Sequence, residues 1–427
     1  MKLKLENVGK ISSANIDLNG ITVIAGENNT GKSTIGKMLF CVFHAFYKIE
    51  EQVREERIKS ISRVLSGYYH EVTNRVARRL NLRELAEHIL DQKESVLGDT
   101  RVLLKEIEDF FADKNKSFER YPDQESLEKI VERIYMFLNI EDSEIQELIL
   151  KKRLESEIAM KIGHLNNLDK ESTIKLDIKD DSIEFAVVKN EKIEIFNTID
   201  LNKEIIYIDD PFVLDDLSEF QWHFLSNVYA HRQDLLWKLA RDKKADSFSV
   251  VDELVVQKKL EKIFEKLQEV CDGNIMSDER KIFVYKTDKL NGDLDMMNLS
   301  TGLKSFAILK KLLKNGNIDE NGTIILDEPE IHLHPEWQLK FAEIIVLIQK
   351  EFNTNILLNT HSPYFLNAIE VYSQKYELSN KCKFYLADEN DGVTFVTDVT
   401  ADTEKIYAKL AKPLQELENI EYGNARL

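Results

Sequence analysis

Alternation of apolar and polar residues opens the chain. Lys2 to Val8, Ala14 to Leu18 and Ile21 to Ala25 are short β-rich runs, and Asn19-Gly20 between the last two marks a turn. The period then changes. Ile35, Met38, Leu39, Val42, Phe43 and Phe46 recur at i, i+3, i+4, i+7, i+8 and i+11, which is one face of a helix. From about residue 48 to 170 the text is charged, helical and nearly free of breakers, with Pro122 its one proline. The pattern predicts a continuation of the first helix to about residue 80, then helices near 82–97, 100–112, 124–138 and 142–163. Between 172 and 208 the strand period returns in STIKLDI, SIEFAVV, KIEIFNTI and EIIYID, and Pro211 ends the run. Helices follow from about 213 to 272, then the strand KIFVYK and a strand–helix–strand–helix series.

A β-rich start, a helical middle and an alternating βα end predict an α/β head interrupted by a helical insertion. The expected boundaries are 1–47 and 171–427 for the discontinuous head and 48–170 for the arm. There is no internal repeat and no low-complexity tract.

Four stretches carry chemistry. Gly26-Glu27-Asn28-Asn29-Thr30-Gly31-Lys32-Ser33 fits G-x-x-x-x-G-K-[ST] between a predicted strand and a predicted helix. Glycines let backbone wrap phosphate oxygens, and the helix N-terminus faces the anion. Residues 26 to 34, ending at Thr34, are therefore the expected ATP-binding loop. Lys32 would reach the β- and γ-phosphates and Ser33 would ligate Mg²⁺. The second stretch, Thr323 to Leu326, is an apolar run ending in Asp327-Glu328, a buried strand that delivers two carboxylates at its tip. Asp327 would hold Mg²⁺, and Glu328 would orient or deprotonate the attacking water.

The third stretch is Leu299-Ser300-Thr301-Gly302-Leu303-Lys304-Ser305, before an apolar helix and about 27 residues ahead of the paired acids. On its own it also reads as an ordinary helix cap. With the two motifs above, it resembles the signature loop of the ABC ATPase superfamily, L-S-x-G-x-[KQ], with Leu303 replacing the usual polar residue. The resemblance implies that Ser300 and Gly302 bind the γ-phosphate of ATP held by a second subunit. The fourth, Asn359-Thr360-His361-Ser362-Pro363, follows an apolar strand, and the resemblance makes His361 the switch histidine near Glu328.

The phrase Asp327-Glu328-Pro329-Glu330-Ile331-His332-Leu333-His334-Pro335 narrows the likeness. It is similar to the AAA_21, AbiEii-like group, related to the ATPase half of OLD nucleases and to Septu and PARIS defence ATPases. The likeness covers roughly 1–50 and 280–400. It implies a homodimer or higher oligomer closed by ATP and a separate effector protein. Departures matter as well. Only 66 residues follow His361, fewer than a Toprim nuclease needs, and the middle shows neither sustained heptads nor a C-x-x-C hook. The magnesium-sensing glutamine has no clear place; Gln221 and Gln233 are candidates, and Asp209-Asp210 ends a strand in that region. His332 and His334 resemble a metal pair, but in the superfamily they fall in the loop that crosses to the other subunit.

Composition changes the picture in two places. The net charge of −18 argues against general coating of nucleic acid. Against it stands residues 54–83, where Arg54, Arg57, Lys59, Arg63, Arg75, Arg78, Arg79 and Arg83 outweigh Glu55, Glu56 and Glu71. That stretch is either a solvated helix face or a nucleic-acid contact. The absence of an apolar leader or of 18 consecutive apolar residues predicts a cytoplasmic protein without a membrane partner. Cys41, Cys271 and Cys382 are too scattered for a zinc site. The expected function is an ATP-gated dimeric switch in a bacterial defence or toxin system. A RecF-like DNA clamp stands second and a transport ATPase third.

Overall fold

The computed structural model describes residues 1–73, 80–114, 124–158, 170–188, 192–218, 229–242, 250–277 and 283–424. The chain divides into two compact units, Met1–Tyr47 with Leu150–Leu427, and Lys48–Ile149.

In the first unit, strands β1 (Lys2–Val8), β2 (Ile11–Asp17) and β3 (Ile21–Gly26) lead into helix α1 (Lys32–Phe46). The expected run of helix to residue 80 breaks here. Tyr47 turns extended and bridges to Leu201, and Lys48 takes a left-handed φ of 48°. Helices α2 (Ile49–Thr73), α3 (Leu82–Asp91), α4 (Lys93–Gly98), α5 (Thr100–Lys114), α6 (Gln124–Asn139) and α7 (Asp142–Ile158) follow. The single helix expected near 82–97 is two, separated at Gln92. Next come β4 (Ser172–Ile178), β5 (Asp181–Val188), β6 (Lys192–Asn197), β7 (Ile205–Ile208), α8 (Val213–Ser218), α9 (Ala230–Ala240) and α10 (Val250–Gln268). The small strands β8 (Asn274–Ser277), β9 (Phe283–Lys286) and β10 (Leu294–Asp295) make a separate three-stranded sheet. The end of the chain is α11 (Thr301–Lys314), β11 (Thr323–Asp327), α12 (Pro335–Phe352), β12 (Asn355–Thr360), α13 (Pro363–Lys375), β13 (Cys382–Asn390), β14 (Val393–Asp398) and α14 (Glu404–Asn424). The sequence pattern missed β8, β10 and the β13–β14 hairpin.

Eleven described strands form one mixed sheet, ordered β6-β5-β4-β1-β2-β14-β13-β3-β12-β11-β7. Its two halves obey different burial rules. In the antiparallel part, β1 and β4 alternate buried and part-exposed positions, as strands with one wet face do. In the parallel part, β3, β7 and β11 are buried at every residue, which is why TIILD and ITVIAG read as unbroken apolar text. The main core lies against this half, with Phe306, Phe341 and Phe365 among its fully buried rings. The parallel strands β7, β11, β12 and β3 are neighbours, so their carboxyl ends open on one edge, where ligands bind in open α/β sheets.

The second unit is a helical cluster with its own core of Ile61, Leu65, Ile89, Leu103, Ile107 and Ile134. Arg57, 4% exposed, donates to the carbonyls of Phe137, Leu138 and Ile140. A buried cation thus satisfies the orphan acceptors at the end of α6. All three cysteines are free and buried, and burial raises each thiol above its ordinary range. Among the described residues no helix is long and apolar enough to cross a membrane.

Candidate nucleotide site

The loop from Glu27 to Gly31 joins β3 to α1. Asn29 and Gly31 have φ of 67° and 82°, and such left-handed residues curl a loop so that its N–H groups can converge. Thr30 closes the curl by donating to the Glu27 carbonyl at 2.9 Å. No side chain caps α1 at Gly31, so the positive end of a 15-residue helix stays available to an anion. Lys32 is 4% exposed. Its Nζ donates to the carbonyls of Gly26 at 3.0 Å and Glu27 at 2.7 Å and stands 3.9 Å from Glu328. Burial pulls the Lys32 ammonium down from its usual range, against the pull of Glu328, Asp327 and Glu330. Ser33 is exposed at the first turn of α1.

β11 places Asp327 beside Asn359 of β12. Both Asp327 oxygens are held: Asn359 Nδ2 donates to Oδ1 at 2.9 Å, and the Tyr207 hydroxyl donates to Oδ2 at 2.8 Å. Burial and the Asp327 charge raise the Tyr207 phenol well above its ordinary range, which keeps its proton available for donation. Asn359 Nδ2 also donates to the Lys32 carbonyl at 3.1 Å, so one amide ties the start of α1 to the acidic strand.

Glu328 adopts a left-handed φ of 50°, with its N–H donating to the Asn359 carbonyl at 2.9 Å. Its Oε1 lies 3.5 Å from His361 Nδ1. The pair act on each other: His361 holds the Glu328 carboxyl low, and Glu328 lifts the imidazole. Behind them Glu330, 2% exposed, accepts from the Thr360 hydroxyl and from the His361 N–H. Ser362 caps α13 by accepting from the Phe365 N–H, and Pro363 sits in its first turn. Each residue of the Thr360–Pro363 phrase thus has a local task. Lys32, Asp327, Glu328 and His361 come together at one edge of the sheet.

The signature residues sit apart from that group. Ser300 is the N-cap position of α11, yet its side chain makes no cap hydrogen bond and is exposed. The plain helix-cap use of this serine is therefore absent. Gly302 is buried, and a Cβ there would press on the Trp337 ring at 3.0 Å and the His332 carbonyl at 3.1 Å, so packing also demands glycine. Lys304, 2% exposed, bonds Asp215 and lies 5.0 Å from the Phe212 ring. The Phe212 ring meets His332 edge-on at 5.6 Å, and His334 Nδ1 accepts from the Glu336 N–H as the cap of α12.

Sequence reasoning noted Asp209 at a strand end but not the polar triad it forms beside Asp327 with the buried His231 and Glu157. His231 bonds Glu157 through Nδ1 at 2.6 Å and Asp209 through Nε2 at 2.9 Å. Burial lowers His231, but the bonds to Asp209 and Glu157 outweigh it and lift the imidazole to about 9. Asp209 directly follows β7, whose Ile208 pairs with Leu326, so Asp209 ends the strand alongside Asp327. The second oxygen of Asp209, Oδ1, is buried and has no hydrogen-bond partner among the described residues. Gln221, Arg75, Arg78 and Arg79 lie outside the described residues, and Gln233 lies on α9.

A family model for the AAA ATPase domain, AAA_15, matches residues 1–366. The chain belongs to the AAA_15 family of ATPase domains. This AAA_15 ATPase is 28% identical over 208 residues to the Septu protein PtuA of Bacillus thuringiensis, covering 44% of the chain and 48% of that protein. It is 34% identical over 94 residues to the Retron Ec83 probable ATPase of Escherichia coli, covering 19% of the chain and 17% of that protein. The chain therefore spans half or less of the curated relatives it matches. Among solved structures it aligns with an SMC head bound to the C-winged helix domain of ScpA, at 10% identity and a TM-score of 0.42, over 95% of this chain and 98% of that one.

Proposed function

We propose that this ATPase hydrolyses Mg²⁺–ATP at a site shared by two copies of the chain, and that the cycle controls a separate effector in a bacterial defence system. The observation that carries the reading is the convergence of Lys32, Asp327, Glu328 and His361 at the ends of adjacent parallel strands, beside an uncapped helix N-terminus.

Each residue has a task. The N–H groups of 27–33 and the positive end of α1 receive the phosphates. Lys32 exchanges its two loop carbonyls for phosphate oxygens, whose charge restores the ammonium that burial disfavours. Ser33 and Asp327 are the hard oxygen donors that would hold Mg²⁺, a set that fits a cation bound mostly by phosphate and water. When bound, the ion neutralises charge developing between the β- and γ-phosphates. Glu328, kept ionised beside His361, is placed to orient or accept a proton from the attacking water. Ser300, exposed and uncapping, serves the γ-phosphate of the partner copy, with the N-terminus of α11 behind it. ATP then glues the pair, and loss of the γ-phosphate releases it. The role of the helical unit as an insertion arm moved by this cycle belongs to the same proposal.

The defence assignment draws on the Septu and retron relatives. The DNA-clamp reading is weaker on a specific observation. Of the described cations between 54 and 83, Arg54, Arg57, Lys59 and Arg83 are already matched by Asp91, Asp142, Glu56 and Glu55.

The deciding experiment is Glu328→Gln in saturating Mg²⁺–ATP. Phosphate release should fall about 100-fold or more, while ATP binding persists and light scattering shows a stable dimer that Ser300→Arg abolishes. A monomer under those conditions would sink the shared site, and mass spectrometry of what co-purifies with the trapped form tests for the effector.

A further inference from the structure

We propose that the helical unit carries a binding site for a small phosphorylated molecule of mononucleotide size, in the groove between α2 and α6, separate from the ATP site. The groove is half open and offers about 380 Å³, within the lower range of small-ligand pockets. Its rim holds Arg63 from α2 with Lys129 and Arg133 from α6, and no carboxylate lines it among the described residues. That runs against the chain as a whole, in which 76 acidic residues face 58 basic ones. Lys129 is paired with Glu125 at 2.7 Å, but Arg63 and Arg133 make no ion pair among the described residues. Arg133 stacks 6.0 Å from the Phe137 ring, a contact that leaves its N–H donors at the edge of the fork, so two arginine forks without carboxylate partners stand beside one groove and are suited to bidentate binding of phosphate.

The floor supplies the other half of an amphipathic site. Val64, Tyr68 and Ile130 are buried, and the Tyr68 ring is fixed edge-on to Phe111 at 5.6 Å. An apolar or aromatic body would lie on that floor with its phosphate toward the arginines. Ser126, in the first turn of the 16-residue helix α6, places the groove against that helix's positive end.

Gly67 is the observation hardest to explain otherwise. It sits inside the 25-residue helix α2, where glycine is the poorest helix former after proline. A Cβ at Gly67 would meet nothing within 4 Å, so no packing contact requires the glycine. What its missing side chain does is leave the groove open.

Calorimetry on the full chain tests this, with the Lys32→Ala substitution in the background to keep probes out of the ATP site. The probes are inorganic pyrophosphate and AMP at low ionic strength. One site per chain is expected, with AMP tighter than pyrophosphate because it also covers the floor. Arg63→Gln and Arg133→Gln should each weaken binding about tenfold or more. Gly67→Leu should block binding while circular dichroism and the melting temperature report an intact fold. No binding of either probe at about 1 mM, or binding indifferent to all three substitutions, would overturn the site. So would an oligonucleotide that binds through Arg63 and Arg133 when neither small probe does.

Discussion

The hydroxyl of Tyr207 donates to Asp327 Oδ2 at 2.8 Å, joining the two outermost parallel strands of the sheet at their carboxyl ends. The two residues are 120 apart in the chain and both are buried. Under the proposed function Tyr207 would aim the carboxylate that holds Mg²⁺. Tyr207→Phe removes one of two donors, at a cost of about 1.5–3 kcal/mol for a bond to a charged acceptor. The expected result is a several-fold rise in the Mg²⁺ concentration needed for half-maximal ATP turnover, with metal-free nucleotide binding little changed. An unchanged Mg²⁺ titration would refute the positioning role.

Lys32→Ala should abolish nucleotide binding measured by calorimetry in the absence of any partner. The side chain is buried and its Nζ satisfies two loop carbonyls, so some loss of thermal stability should accompany it. Lys32→Arg is expected to fail as well, since the larger planar head does not fit a site with 4% exposure. Retained affinity in either variant would contradict the assigned contact.

Glu330→Ala leaves the Thr360 hydroxyl and the His361 N–H without their acceptor. Unpaired buried donors cost about 1–3 kcal/mol each. Melting temperature should fall by several degrees, and turnover should fall further than Glu330→Gln, whose amide oxygen can still accept. Equal loss in the two variants would count against an acceptor role.

Stability should peak near neutral pH and fall on both sides. His231 is raised to about 9 in the fold against about 6.5 unfolded, so its contribution is complete below pH 6.5 and is lost as pH rises through 9. His44 is lowered to about 3, by burial first and then by Arg153 and Lys238. It stays neutral in the fold while the unfolded chain takes up a proton, so stability also drops as pH falls from 6.5 toward 3. Melting temperatures from pH 4 to 10 should trace this peak, and His231→Gln should flatten the alkaline side. The same alkaline slope in that variant would exclude His231 as its source.

Much of the head was readable because its chemistry is contiguous. The loop 26–33, the TIILD strand with its two acids and the Thr360–Pro363 phrase are each one stretch of text, and fully buried parallel strands leave unmistakable apolar runs. The break after α1 was not readable, because Lys48 turns left-handed where Tyr47 bridges to Leu201, a contact made from the far side of the helical middle. Tyr207 and Asn359 were visible only as polar residues in apolar strands. What they hold depends on strand register, and no local period encodes that. The triad of Glu157, His231 and Asp209 draws on three distant segments, and only Asp209, as an acid at a strand end, stood out in the sequence.

Because Cys41, Cys271 and Cys382 are all enclosed, each with a thiol that resists ionisation, the native chain should be silent toward maleimide dyes at neutral pH. A single cysteine introduced at Ile331, 53% exposed, would then report alone. Fluorescence pairs or bifunctional crosslinkers could then test the proposed closing and parting of two copies through a turnover without first stripping the protein of its own sulfur.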